Sequence, residues 1–485
     1  MTDPRAKSIP RTIAHYATSR LYQQALGVIT AFLRPKLLTP EQFGLWTLLK
    51  IIPRYSYYTD LGTGASFRYL VPYYKEKGDC ARVEAIERCA FSAGFGLSVL
   101  LAVVILAFYL REGFGPEVKA GLLCMAGMVV LQFVHEYYLI LLKAHERFSL
   151  VASTNYVFIT AAFLLTVPLL YFLRIYGLFL SVLLAELVAL AYLRIRLGSA
   201  VRWGLKKDVF RELVGKGLPL TLLNLAVVLI MTADRIVVSS MLGNEQLGYY
   251  GVAGLAMSAL INVPEAAREV IEPRAMRAVD SVPTEALISE YLWKPAINTA
   301  YLMPFLIGPA FLALPPFISL FLPKHVDAIA PGQILLCGVY FLSLAYVPRV
   351  VIVARNWQTQ TLVLMPWAIA ANVGLSVWSI RADYGLPGVA AASGFSYFLL
   401  FGLLLAFLGR KLERSGWEWW RYLGETILPF LIMCALLVGW QVLLPRYIAN
   451  PYGRAALGCL AFLALFSGFH AAARRRLPLL KKMIF

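Results

Sequence analysis

Apolar residues run along this chain in blocks of about 20, separated by short polar or cationic stretches, and a block of that length can cross a bilayer as a helix. The pattern predicts spans over Ala14–Leu33, Leu45–Gly64, Ala90–Leu110, Val118–Leu142, Phe148–Phe172 and Tyr176–Leu193. A second group of six is predicted over Leu218–Leu242, Leu247–Val270, Ala296–Leu322, Ile329–Ala354, Thr361–Ile380 and Leu386–Leu408, and two more over Tyr422–Leu444 and Arg454–Ala473. The fold class expected is therefore all-α polytopic membrane protein, with about 14 transmembrane helices. Pro168, Pro264, Pro304, Pro309 and Pro366 fall inside these blocks and predict kinked or broken helices.

Composition supports the same class. The 485 residues are 60% hydrophobic and 15% charged, with a mean hydropathy of +0.69, more apolar sequence than a soluble core needs. A net charge of +18 in a soluble protein points to nucleic acid, but here it follows the membrane's preference for cationic cytoplasmic loops. With the N-terminus inside and the spans alternating, inner segments hold 31 Lys and Arg and outer segments 9. That bias places both termini in the cytoplasm and leaves no case for a nucleic-acid partner. The polar, basic N-terminus lacks a small-residue cleavage site and reads as retained. The six cysteines are scattered without a C-x-x-C pair, so neither a disulfide framework nor a metal site is expected.

The two groups of six echo each other. Leu37-Leu38-Thr39-Pro40-Glu41-Gln42-Phe43-Gly44 recurs as Met241-Leu242-Gly243-Asn244-Glu245-Gln246-Leu247-Gly248 between the first two spans of each group. Tyr176-Gly177-Leu178 recurs as Tyr384-Gly385-Leu386 before the sixth. The offsets, 204 and 208 residues, nearly agree and argue for duplication. The expected organisation is an N-lobe over 1–207, a C-lobe over 208–412 and a C-terminal helix pair over 413–485, the lobes related by an axis along the membrane normal.

Five cations lie well inside the ends of the predicted spans: Arg20, Lys50, Arg54, Arg235 and Arg349. An ionisable group at membrane depth costs several kcal/mol unless it faces a bundle interior or a wet cavity, so each is a candidate for a substrate path. Lys50 and Arg54 are one helical turn apart with Pro53 between them, which stacks them on one face and predicts a kink. The alternative is that Lys50 snorkels to the interface and Arg54 pairs with Asp60. Arg20 has no carboxylate nearby in sequence, whereas Arg268 lies close to Glu265 and Glu269. Asp234 and Arg235 are neighbours about 100° apart on a helix, so at most one points straight at a cavity. Arg and Lys at such depth suit phosphate, Arg as a bidentate fork and Lys as a point charge. The substrate-binding set expected is Arg20, Lys50, Arg54, Arg235 and Arg268, with Asp60, Asp234 and Glu265 as coupling or gating carboxylates. Tyr55, Tyr57 and Tyr58 present either stacking faces for sugar rings or an interface belt. The segment 67–88 mixes apolar and cationic residues and is expected to lie along the inner surface.

Signatures of catalysis are missing. His135-Glu136 and His145-Glu146 are not H-E-x-x-H, and neither a G-x-x-x-x-G-K-S/T phosphate loop nor a G-x-S-x-G elbow occurs. The expectation is a non-enzyme without cofactor or metal, its transport driven by gradients or by the substrate itself.

One ordered set of motifs carries a family resemblance: F-G-L-W from Phe43, Asp60-Leu61-Gly62 with Arg68, Lys77-Gly78-Asp79, Gly217-Leu218-Pro219-Leu220, Asp234-Arg235, Leu247-Gly248-Tyr249-Tyr250 and Tyr384-Gly385-Leu386-x-Gly388-Val389-Ala390-Ala391. Together they resemble the bacterial polysaccharide flippases of the multidrug/oligosaccharidyl-lipid/polysaccharide (MOP) exporter superfamily, over most of residues 15–400. Lys143-Ala144-His145-Glu146-Arg147 matches a loop of that family, and its later counterpart Ala354-Arg355-Asn356-Trp357 is less typical. The resemblance implies a two-lobed bundle of six plus six helices with an additional pair, in the bacterial inner membrane. By alternating access it would move undecaprenyl-diphosphate-linked oligosaccharide from the cytoplasmic to the outer leaflet. Implied partners are that lipid, membrane lipids, a polysaccharide polymerase, a chain-length regulator, and Na+ or H+ as coupling ion. Competing readings are a cation-coupled multidrug exporter of the same superfamily, against which the basic lumen argues, and a membrane glycan polymerase or ligase, against which the short outer loops argue.

Overall fold

The computed structural model describes residues 4–198, 203–279, 281–412, 416–443 and 450–476, and every regular element among them is helical. The first are α1 (Pro4–Leu37), α2 (Pro40–Leu49), α3 (Ile51–Ser56), α4 (Thr63–Glu76), α5 (Cys80–Tyr109), α6 (Pro116–Ala144), α7 (Phe148–Leu197) and α8 (Lys207–Ile230). There follow α9 (Ala233–Ala278), α10 (Thr284–Ile288), α11 (Lys294–Phe321), α12 (Ile329–Ala354), α13 (Gln358–Thr361), α14 (Met365–Arg381), α15 (Gly385–Lys411), α16 (Gly416–Leu443) and α17 (Pro451–Arg476). Among the described residues ten helical stretches are long and apolar enough to cross a membrane, which makes this a multi-pass membrane protein. Two of the ten, Phe148–Leu197 and Lys207–Ala278, each cover two of the spans expected from sequence. The first two expected spans are not among the ten. Polar side chains from His15 to Gln24 dilute α1, and the second is cut into α2 and α3, of 10 and 6 residues.

That cut falls at Lys50 rather than at Pro53. Pro53 has no N–H for the carbonyl of Leu49 one turn earlier, and its ring crowds that carbonyl, so the break appears a turn upstream of the proline.

The chain forms two compact units, 1–225 and 226–485. The division lies inside α8, beyond the 207/208 boundary expected from sequence, because the start of α8 belongs to the first unit's core. There Val209 and Leu213 are fully buried with Phe67 and Val71 of α4, Ile86 and Phe91 of α5, and Tyr137 and Ile140 of α6. Arg82 of α5 pairs with Asp208 at 3.0 Å and Glu212 at 2.6 Å, and Lys216 reaches Glu212 at 3.0 Å. The expected 412/413 boundary touches 413–415, which lie outside the described residues, as do the extreme termini at 1–3 and 477–485. In the second unit α12 is buried over nearly its whole length. It meets α15 backbone to backbone: a Cβ on Gly338 would stand 2.8 Å from the Cα of Gly394. α17 packs on α11 through Phe466, Phe469 and His470 against Tyr301 and Phe305.

Both sequence echoes mark breaks with defined backbone geometry. Thr39 caps α2 by accepting the Gln42 N–H, while in the second copy Gly243 interrupts α9 at φ 86. Arg174 breaks α7 at φ 53 just before Tyr176, and Asp383 turns the chain at φ 61 just before Tyr384. A further correspondence lies in the loops after α6 and α12, where Glu146 (φ 59) and Asn356 (φ 56) both sit in the left-handed region. Arg147 N–H bonds Leu142 O at 2.8 Å and Trp357 N–H bonds Ile352 O at 2.9 Å, the six-to-one bond of a Schellman cap in each. The loop that looked less typical in sequence therefore has the same geometry as its counterpart.

A close backbone approach in the first unit joins two motifs far apart in sequence. Gly62, at φ 85, lies against Gly217 of α8, and a Cβ on Gly217 would stand 1.9 Å from Gly62 O. Ser66 Oγ donates to Leu213 O at 2.5 Å across the same contact. Gly217→Ala is expected to cost about 1–3 kcal/mol by forcing the backbones apart. Gly215→Ala, with nothing within 4 Å of the new methyl, is expected to be neutral. Thermal unfolding of the detergent-solubilised protein compares the two.

Candidate functional site

The Gly62–Gly217 contact frames a cleft of about 110 Å³ inside the first unit. Its walls come from the end of α3 and the turn after it (Ser56, Tyr57, Tyr58, Asp60), from α4 (Thr63, Phe67, Arg68), from α6 (Gln132, Phe133, Glu136) and from α8 (Thr221, Asn224). Thr221 and Asn224 follow Gly217 by one and two helical turns, so the glycine contact sets how far they reach in.

Asp60 shapes the turn. Its Oδ1 accepts from Gly62 N–H at 2.9 Å and its Oδ2 from Gly64 N–H at 2.7 Å, which closes an Asx turn and satisfies the exposed start of α4. The carboxylate expected to couple or gate is thus also a helix cap. Arg68, two turns further on, donates to Tyr57 Oη at 2.6 Å and lies within electrostatic range of Glu136. Glu136 and Gln132, one turn apart on α6, both line the cleft, and neither has a hydrogen-bond partner among the described residues.

Adjacent residues on α6 separate by face. His135 turns to α7, where its Nδ1 lies 2.6 Å from Glu186 Oε2 with both side chains buried. Glu136 turns to the cleft instead. The same separation holds for Asp234 and Arg235. Asp234 Oδ2 accepts from Tyr250 Oη at 2.6 Å and Ser393 Oγ at 2.7 Å, and its Oδ1 accepts from Arg235 N–H at 2.8 Å. Asn372 donates to Ser393 Oγ at 3.3 Å and to Ile230 O at 3.4 Å, while its own buried Oδ1 has no hydrogen-bond partner among the described residues. Arg235 is buried beside Gly254, where a Cβ would stand 3.1 Å from its Nη2.

The expected cations divide between the units. In the first, Arg20 is exposed on α1 with Tyr16 5.8 Å below its guanidinium, Lys50 is half-buried at the α2–α3 break, and Arg54 is exposed on α3. In the second lie buried Arg235 and half-buried Arg268, the latter bound to Glu272 at 2.8 Å and stacked 5.6 Å from the Tyr346 ring. Glu265, half-buried, sits nearly one turn before Arg268 on α9. Arg349 is buried with the same Tyr346 ring 5.7 Å away.

Sequence reasoning missed Arg68, Gln132 and Glu136. Arg68 falls in the segment 67–88 expected along the inner surface, and Glu136 adjoins His135 in a pair that is not H-E-x-x-H. A carboxylate in the interior of the Val118–Leu142 block was the available signal.

Helices interrupted at matching places in two groups, with charged and amide side chains around a cleft within the first unit, make a multi-pass membrane fold. Among solved structures the chain is similar to the lipid II flippase MurJ in an inward closed conformation, at 14% identity and TM-score 0.70, covering 95% of this chain and 99% of that one. It is also similar to an inward-facing multidrug resistance MATE family transporter of the MOP superfamily, at 14% identity and TM-score 0.67, covering 81% and 94%. A MOP superfamily transporter from Pyrococcus furiosus, described as having a binding pocket of reversed polarity, matches at 15% identity and TM-score 0.55, covering 83% and 95%. The chain has the fold of that superfamily. Residues 10–264 match the family described as polysaccharide biosynthesis protein, more than half of the chain, and the chain belongs to that family. No curated protein matches it.

Asp60→Ala removes the acceptor for two N–H groups at the head of α4 and is expected to lower stability by about 1–2 kcal/mol. An unchanged thermal unfolding midpoint would show that the capping bonds contribute nothing.

Proposed function

We propose that the protein is a flippase that carries undecaprenyl-diphosphate-linked oligosaccharide units from the cytoplasmic to the outer leaflet of a bacterial inner membrane, by alternating access. The observation that carries this reading is the family match over residues 10–264, in a chain whose first unit sets Arg20, Lys50 and Arg54 on α1 to α3. A diphosphate is a compact dianion. Guanidinium groups bind it as bidentate forks and an ammonium binds it as a point charge, which suits this set. The glycan crosses with the diphosphate while the polyprenyl tail stays in lipid. Moving about two negative charges out of a cell that is negative inside is downhill by roughly 4.6 kcal/mol per 100 mV, so membrane potential suffices to drive net export.

Of the carboxylates expected to couple transport to Na+ or H+, Asp60 is engaged in capping α4. Asp234 is the group this reading favours, because it is buried and held by two hydroxyl groups beside the unsatisfied amide oxygen of Asn372. Glu265 is half-buried and next to an arginine already paired with Glu272.

Arg20→Ala and Arg54→Ala are each expected to abolish surface glycan in a complemented deletion strain while the amount of protein in the membrane persists, with lipid-linked repeat units accumulating on the inner face. Normal export by both variants would remove the role assigned to these cations. A drug-resistance phenotype with unaltered glycan would point to the multidrug exporters of the superfamily instead.

A further inference from the structure

The cleft of the first unit has a chemistry unlike that of the cations on α1 to α3. Of its charged walls, Asp60 and Glu136 are acidic and Arg68 is basic, and the guanidinium is already bonded to Tyr57. A diphosphate brought there would meet more negative than positive charge. Glu136 and Gln132 project into the open space with no hydrogen-bond partner of their own among the described residues. A polar group within a membrane protein is costly to leave unsatisfied, so such a pair calls for water or for a ligand rich in hydroxyl groups. Asn224 adds an amide from α8, and the rings of Tyr57 and Phe133 supply flat apolar walls. Convergent polar groups on an aromatic lining are the usual make-up of a site for an uncharged polar ligand. The enclosed space, about 110 Å³, corresponds to about four water molecules, so at most one sugar ring can be seated there and a whole repeat unit cannot.

We propose that this cleft is a sugar-ring subsite that takes one uncharged sugar of the lipid-linked glycan. Glu136 and Gln132 bind its hydroxyl groups, and Tyr57 and Phe133 flank its C–H faces. The diphosphate is held apart from it, by the cations on α1 to α3. This assignment rests on the reading of the cargo as a polyprenyl-diphosphate saccharide. It adds that sugar and phosphate are recognised by different side chains, so that each can be weakened without the other.

The test uses the full-length protein in lipid nanodiscs and two probes, undecaprenyl diphosphate and undecaprenyl diphosphate bearing a single N-acetylglucosamine, with affinities measured by native mass spectrometry. The wild-type protein is expected to bind the sugar-bearing probe about tenfold more tightly, the gain from one or two hydrogen bonds to a charged group. Glu136→Ala and Gln132→Ala should each remove most of that preference and leave the affinity for undecaprenyl diphosphate within about twofold, which also shows that the variants are folded. Equal affinity of the wild type for both probes, or variants that weaken both probes alike, overturns the subsite while the flippase reading stands. If the wild type binds neither probe, the flippase reading falls and the subsite falls with it.

Discussion

A polar side chain on a helix surrounded by hydrocarbon must find a partner or face water, and this requirement shapes the turns and helix ends of the chain. Asp60 meets it by capping α4, Asp234 through Tyr250 and Ser393, and the Nδ1 of His135 through Glu186. Helix ends meet it with Schellman caps at Glu146 and Asn356, each made by a residue other than glycine in a left-handed conformation. Against that background the exceptions carry information. Gln132 and Glu136 line a cleft and have no hydrogen-bond partner among the described residues, and the sugar proposed for that cleft is what completes their bonding.

Backbone contact sets the geometry of that place. In an apolar solvent, helices associate through close packing rather than through a hydrophobic driving force, and small residues permit the closest approach. Gly62 and Gly217 bring the turn after α3 against α8 with no side chain between them. A helix thereby joins the wall of a site made mostly by elements much earlier in the chain, α3, α4 and α6.

Much of the architecture was legible in the sequence, because a run of apolar residues has one simple consequence in a membrane. The helical class follows from it, and the echoed segments do mark breaks at corresponding places: Thr39 and Gly243, Arg174 and Asp383. The candidate site was legible only in part. Periodicity says that a helix forms but not which of its faces meets which neighbour, so nothing in the sequence tells that the neighbours His135 and Glu136 serve different sides of α6. Lys50 illustrates a second limit: the effect of Pro53 on the backbone falls one turn upstream of the proline. The meeting of Asp60-Leu61-Gly62 with Gly217-Leu218-Pro219 had no local signal at all, since it depends on how α8 folds back on α4.

The physical logic of the proposed transport is a division of labour. Phosphate needs cations, and a neutral sugar needs hydrogen bonds and flat surfaces; the first unit offers the two chemistries on different residues. The most direct test of the central claim is movement itself. Purified protein is reconstituted into liposomes containing undecaprenyl-diphosphate N-acetylglucosamine, and a galactosyltransferase added outside labels whatever sugar is exposed. The account predicts that labelling rises from the outer-leaflet share to nearly all of the lipid when the protein is present. Labelling that stays at the outer-leaflet share, as in protein-free liposomes, would contradict it.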